Sequence, residues 1–262
     1  MAADSGEWIG FRALGMEFRA FIVKPEGPPP WPTLIAIHAA SGLDAHHENL
    51  TRDFAAQGYF TMSPDLYSND PGYRAFTLAD VEDGMVIGPR ITDVAGYLAK
   101  FPAERRDAIL AAHRWVENRP EKTYIEIVGA CYEMAKARPD VGAIGAIGYC
   151  MGGRLVAELA VSGVELAAGV IFYGIDPPHE RIPNIKGPLQ GHYGVTDKRI
   201  TDRVPAFAAA LKAAGKDFTY YVYEAAHGFA NAIHLNARNE PAAKLANERT
   251  REFLAATLGR KR

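Results

Sequence analysis

Sulfur is scarce in this 262-residue chain: it has two cysteines, Cys131 and Cys150, and six methionines. Two thiols cannot make a disulfide framework, so the fold must rest on a packed core. A cytoplasmic, reducing setting is expected, and it would keep a working thiol reduced. Long apolar runs are missing. No stretch approaches the roughly 18 unbroken apolar residues of a membrane span. The opening MAADSGEWIGFRALG lacks the basic start and apolar run of a secretory signal. An excess of one charge is missing too. There are 29 Lys and Arg against 31 Asp and Glu, a net charge of -2, so there is no broad basic field to hold a nucleic-acid backbone. Metal-ligand spacing is absent. His46-His47-Glu48 puts two histidines side by side, but neighbours on a helix point about 100 degrees apart. No Cys or Asp stands at useful spacing from them. No metal and no other cofactor is expected, and neither an internal repeat nor a low-complexity tract is found.

What is present is ordinary for a globular protein, with 48% apolar and 23% charged residues. Residues 7–13 and 16–23 read as strands of an edge hairpin turning at Gly15. Pro25 to Pro32 is too rich in Pro and Gly for a regular element. Thr33 to His38 is a short apolar run fit for a buried parallel strand. Asp44 to Gln57 has helical character, and Tyr59 to Met62 reads as the next strand. Residues 68–90 read as a long loop with one helical turn. Helices are expected over 103–118 and 122–138, punctuated by Pro120 and Pro139. Strands follow at 141–149, 166–173, 188–193 and 217–223, with helices at 151–161, 201–214 and 241–258. This alternation predicts one α/β domain: a mostly parallel, doubly wound sheet with helices on both faces. The region 68–140 is longer than such a core needs and is expected to form a cap or lid.

The most informative segment is Gly148-Tyr149-Cys150-Met151-Gly152-Gly153, where a strand runs straight into a helix. It is a G-x-S-x-G elbow with sulfur in place of oxygen. A nucleophile there sits on a strained turn, and tiny neighbours let strand and helix approach. The helix N-terminus favours a thiolate. The Met151 N–H would face a developing oxyanion. A competing reading makes Cys150 a small core residue in a glycine-rich turn. Asp197, just past one strand, and His227, just past the next, follow in the order nucleophile, acid, histidine. Each alone could be a helix cap or surface polarity. Together they would stand at one carboxyl edge of the sheet, where open α/β sheets form their sites.

At this point the chain resembles the dienelactone hydrolase (carboxymethylenebutenolidase) family of α/β-hydrolases. The resemblance rests on Gly148 to Gly153, Asp197 after Gly194, His227-Gly-Phe-Ala230, Ser63-Pro-Asp-Leu-Tyr67, and the strand Leu34 to His38 with Gly42 beyond. It implies that Cys150, Asp197 and His227 form a triad hydrolysing a small-molecule ester or lactone through an acyl-enzyme. It also implies that the Met151 and Ala40 N–H groups bind the oxyanion. His38, Ala39, Gly228 and Asn231 would lie beside the substrate, and Tyr149 and Tyr173 would line the pocket unless they belong to the core. Three positions depart from the family. Ala39 stands where a Glu is frequent, Asn231 where an Arg is frequent, and Gly228 where a Ser is frequent. A carboxylate clamp would then fall to Arg90 or Arg74. Three other readings stand beside hydrolysis: acyl transfer or C–C hydrolysis on the same triad, a weakened binding protein, and redox chemistry at Cys150 with Cys131 as the second thiol.

Overall fold

The computed structural model describes residues 6–88, 91–231 and 237–259. Arg90 lies outside them. Eight strands form one sheet in the order β1-β2-β4-β3-β5-β6-β7-β8. They are β1 (Glu7–Ala13), β2 (Met16–Val23), β3 (Trp31–Ile37), β4 (Phe60–Asp65), β5 (Val141–Tyr149), β6 (Ala168–Phe172), β7 (Leu189–Gly194) and β8 (Phe218–Tyr223). β1 and β2 are the expected antiparallel hairpin, and β2 also runs antiparallel to β4. From β4 to β8 every pairing is parallel. The central strands are mostly apolar and buried on both faces over most of their length, as parallel sheets require.

One face is covered by α5 (Glu121–Lys136), α6 (Met151–Val161) and α8 (Val204–Ala213). Their inward residues, among them Val128, Val156 and Phe207, merge into one core with Ile35, Ile37 and Ile171. The other face is covered by α1 (Ala45–Ala56) and α9 (Glu240–Leu254), through Phe54, Ala243, Ala246 and Leu254. Two expected helices differ at their ends. The 201–214 segment divides into a single turn, α7 (Lys198–Thr201), and α8, because Pro205 is accommodated only in the first turn of a helix. α9 ends at Leu254 and passes into one wider turn, Ala255–Gly259.

The larger departure lies between β4 and β5. Instead of a long loop with one helical turn, residues 68–88 hold the turn Tyr73–Ala75 and the helix α2 (Leu78–Met85). α2 starts from a reciprocal cap. The Asp80 N–H donates to the Thr77 hydroxyl, and the Thr77 N–H donates to the Asp80 carboxylate. α3 (Val94–Leu98) and α4 (Ala103–Glu117) follow. Ile87, Leu98 and Ile109 form a small core of their own there, and Arg105 ties α4 to Asp80 and Asp83 on α2. Among the described residues no helix is long and apolar enough to cross a membrane.

Candidate functional site

The C-terminal ends of β3, β5, β7 and β8 deliver the chemistry-bearing residues to one edge. Cys150 follows β5 with φ 56 and ψ -114, an unfavourable backbone for a side chain with a Cβ. Two glycines make the turn possible. A Cβ on Gly148 would lie 2.1 Å from the Gly152 carbonyl oxygen, and one on Gly152 would lie 2.2 Å from that of Ile37. The elbow is also bonded to its neighbours: Cys150 N–H donates to the Phe172 carbonyl at 2.9 Å, and Arg154 N–H closes the first helical bond on the Cys150 carbonyl at 3.1 Å.

His227 Nε2 lies 3.1 Å from Cys150 Sγ, and its Nδ1 lies 2.5 Å from Asp197 Oδ2. Two loops must approach closely for this. A Cβ on Gly194 would meet the Ala225 oxygen at 2.6 Å, and the N–H and hydroxyl of Thr196 both donate to that same oxygen. The loop bearing Asp197 is thereby tied to the loop bearing His227. Burial pushes the Cys150 thiol up. The His227 charge and hydrogen bond, the Met151 N–H and the Arg119 guanidinium outweigh it and hold the thiol below its ordinary value. For His227, burial acts to lower its pKa. The facing Cys150 and Asp197 prevail and push it up to about 10. Both shifts run the same way, toward a thiolate facing an imidazolium. Cys131 contrasts with it: it is wholly buried in α5, and burial pushes its thiol up to about 12. Such a thiol is a poor partner for redox exchange.

Past β3 the chain turns through Ala39, Ala40 and Ser41. No described residue accepts a hydrogen bond from the Ala40 N–H. Every carbonyl of this turn is held. The Ala39 oxygen accepts from Gly42 N–H at 3.1 Å and from His38 Nδ1 at 2.6 Å. The Ala40 oxygen accepts from Tyr67 and Arg119, and the Ser41 oxygen from the Tyr73 hydroxyl.

Two residues expected beside the substrate are buried. His38 is 0% exposed, with one ring nitrogen on the Ala39 oxygen and the other accepting from Leu66 N–H at 3.2 Å. Burial and the His47 charge push its pKa down to about 4, so it is a neutral structural group. Tyr149 is also buried. It stacks on Phe172 at 4.7 Å and faces His46 and His47 beneath the sheet edge, because alternate strand residues point to opposite faces. Tyr173 is buried as well, but its ring centre lies 5.0 Å from that of His227 and backs the imidazole. Gly228 is half-buried with φ 82. Asn231 and Ala39 are buried, at 4% and 7% exposure. Arg74 is exposed and donates to the Ser68 carbonyl. His47 and Asp44 form a buried pair at 2.7 Å, and His47 Nε2 accepts from Ala39 N–H at 3.2 Å. Among the described residues no group of three His, Cys, Asp or Glu could hold a metal.

Three contributors escaped the sequence reading, Arg119, Thr196 and Asp44, and His47 was weighed there only as a metal ligand. Arg119 stands alone in the Asn118-Arg119-Pro120 connector and carries no motif. Asp44 was readable as a helix cap, and it does cap α1.

Comparison with known proteins shows the family and the fold of the chain. The model of the dienelactone hydrolase family matches residues 18–258. A Saccharolobus solfataricus protein with the provisional name carboxymethylenebutenolidase is 31% identical over 249 residues, covering 92% of this chain and 94% of its own. The carboxymethylenebutenolidase of Pseudomonas putida is 27% identical over 254 residues, covering 94% of each chain. In fold, the chain is similar to the crystal structure of a protein from Klebsiella pneumoniae provisionally named a dienelactone hydrolase. That similarity has a TM-score of 0.71 and 22% identity, covering 96% of this chain and 99% of the other.

Proposed function

The chain belongs to the dienelactone hydrolase family, and from that premise we propose that it hydrolyses a carboxylic ester or lactone through an acyl-enzyme on Cys150. The observation that carries this reading is the unbroken contact chain from Cys150 Sγ through His227 to Asp197.

In the proposed cycle the Cys150 thiolate attacks the carbonyl carbon. The carbonyl oxygen becomes an oxyanion held by the N–H groups of Met151 and Ala40. The C–O bond then breaks. The imidazolium of His227 gives its Nε2 proton to the departing alkoxide or enolate, leaving a thioester and a neutral imidazole. Next, Nε2 takes a proton from water as the water oxygen attacks the thioester carbonyl. Collapse expels the thiolate and releases the acid, restoring the ion pair. Asp197 accepts from Nδ1–H, so Nε2 faces the thiol in each step. Tyr173 packs against the ring and limits its movement.

The test is hydrolysis of a 4-nitrophenyl ester by wild type and by Cys150→Ala. Wild type should release nitrophenolate and pass through a covalent adduct whose mass equals the added acyl group. Cys150→Ala should do neither. Ester cleavage that survives Cys150→Ala would exclude the thiol as nucleophile. Adduct formation without turnover would favour acyl transfer to another acceptor.

A further inference from the structure

Among the described residues, the segment between β4 and β5 reaches the site at the turn after β3 and at Met151, whose sulfur lies 3.5 Å from the Tyr67 hydroxyl. Tyr67, Tyr73 and Arg119 all come from it, and all three bind carbonyls of that turn. Arg119 Nη1 donates to the Ala40 oxygen at 3.0 Å and to the Tyr67 hydroxyl at 3.3 Å, and its Nε donates to the Val116 oxygen at 3.1 Å. The Tyr67 hydroxyl itself donates to the Ala40 oxygen at 3.1 Å. Trp115 packs against both tyrosines, with ring centres 5.0 Å from Tyr67 and 5.3 Å from Tyr73. Its indole N–H is fixed on Asp70 at 2.9 Å.

We propose that Arg119 is a positioning residue for catalysis: it holds the peptide plane that follows Ala40 and so keeps the turn carrying the Ala40 N–H from swinging away from the reacting oxygen. The proposal rests on the hydrolase reading above. A planar peptide makes the argument geometric. Carbonyl and N–H of one peptide point in opposite directions, so the Ala39 carbonyl, held by His38 and Gly42 N–H, sets the Ala40 N–H, while the Ala40 carbonyl, held by Arg119 and Tyr67, sets the plane on the other side of Ala40 and the Ser41 N–H. His38 anchors the first from inside the core, and Arg119 with Tyr67 anchors the second from the helical segment. The segment is thus a buttress for the turn. An oxyanion donor acts only when it is held in place before charge develops, so a loosened turn loses rate before it loses binding.

Arg119→Met and Tyr67→Phe test this. Tyr67→Phe removes a bond to the same carbonyl and leaves the Arg119 charge beside the thiol. Each should lower kcat for a 4-nitrophenyl ester by about ten- to a hundredfold, with KM within about twofold. Arg119→Lys should recover part of the loss. In the same proteins without substrate, amide exchange of residues 39–42 should speed up, while exchange in β5 and α6 stays as in wild type. Unchanged kcat with unchanged exchange of residues 39–42 overturns the proposal. So does a loss confined to KM, which would make Arg119 a substrate-binding group. Loss of protection throughout the sheet also overturns it, because the role would then be general stability. If wild type cleaves no ester, the hydrolase reading fails by itself. The exchange measurement still decides whether Arg119 holds the turn.

Discussion

Cys150 experiences opposed influences: burial disfavours its charge, while His227, the Met151 N–H and Arg119 favour it, and the latter prevail. An acidic group with a depressed pKa stays ionised to lower pH than its free counterpart. Alkylation by iodoacetamide should therefore persist below the free-thiol value of about 8.5 and fail only as pH drops through the lower folded value. Labelling should be stoichiometric at Cys150 and absent at Cys131, which a peptide digest with mass spectrometry would show. A titration at or above the free-thiol value would mean that the ion pair is not formed. Because Asp197 holds Nδ1–H, Asp197→Asn should leave KM little changed and lower kcat by roughly a thousand- to ten-thousandfold, as loss of the correct tautomer does elsewhere. A drop smaller than about tenfold would show that Asp197 is only a helix-end residue. At this scale the sequence was readable where a motif combined order with spacing, as for Cys150, Asp197 and His227. It misled at His38. A histidine at a strand end looks like a site residue, and only its burial and two backbone partners show it to be neutral and structural.

Among the elements, the elbow depends on absent side-chain atoms. A Cβ at Gly152 would sit 2.2 Å from the Ile37 oxygen, a backbone atom of a central strand that cannot retreat. Gly152→Ala should destabilise the fold by at least about 3 kcal/mol, measurable by urea unfolding. A loss under about 1 kcal/mol would mean that β3 and α6 can separate. Thr196 is a gentler case. Its N–H and hydroxyl both reach the Ala225 oxygen. Thr196→Val keeps the first bond and removes the second, and should cost about 1 kcal/mol. Its kcat for the ester should fall further than that stability loss implies, since the two loops carry Asp197 and His227. Strands and most helices were legible because their apolar period and their Pro and Gly boundaries are local. α2 was not recognised because it is short: Leu78, Val81 and Met85 recur at helical spacing over only eight residues, with a glycine among them.

For the whole molecule the open question is which acyl groups the edge accepts. Asn231 and Ala39 stand at positions where the family frequently carries an Arg and a Glu, and both are buried. Arg74 is committed to the Ser68 carbonyl and Arg119 to the Ala40 carbonyl. A buried substrate carboxylate needs a fixed cation, so neutral esters should have the higher kcat/KM. The preference over the matched carboxylate ester should be about tenfold or more. The opposite order, lost in Arg119→Met, would show that this guanidinium turns from the carbonyl to the substrate. The α/β layering, the elbow and the order of Cys150, Asp197 and His227 were all determined by the sequence alone, because each follows from neighbours a few residues apart or from the direction of parallel strands. Tertiary structure alone decided that Tyr73 and Arg119 bond to the turn after β3, that Thr196 ties two loops, and that His38 and Tyr149 are buried. Those outcomes depend on contacts between segments tens of residues apart, such as Arg119 with Ala40, and no local pattern encodes them.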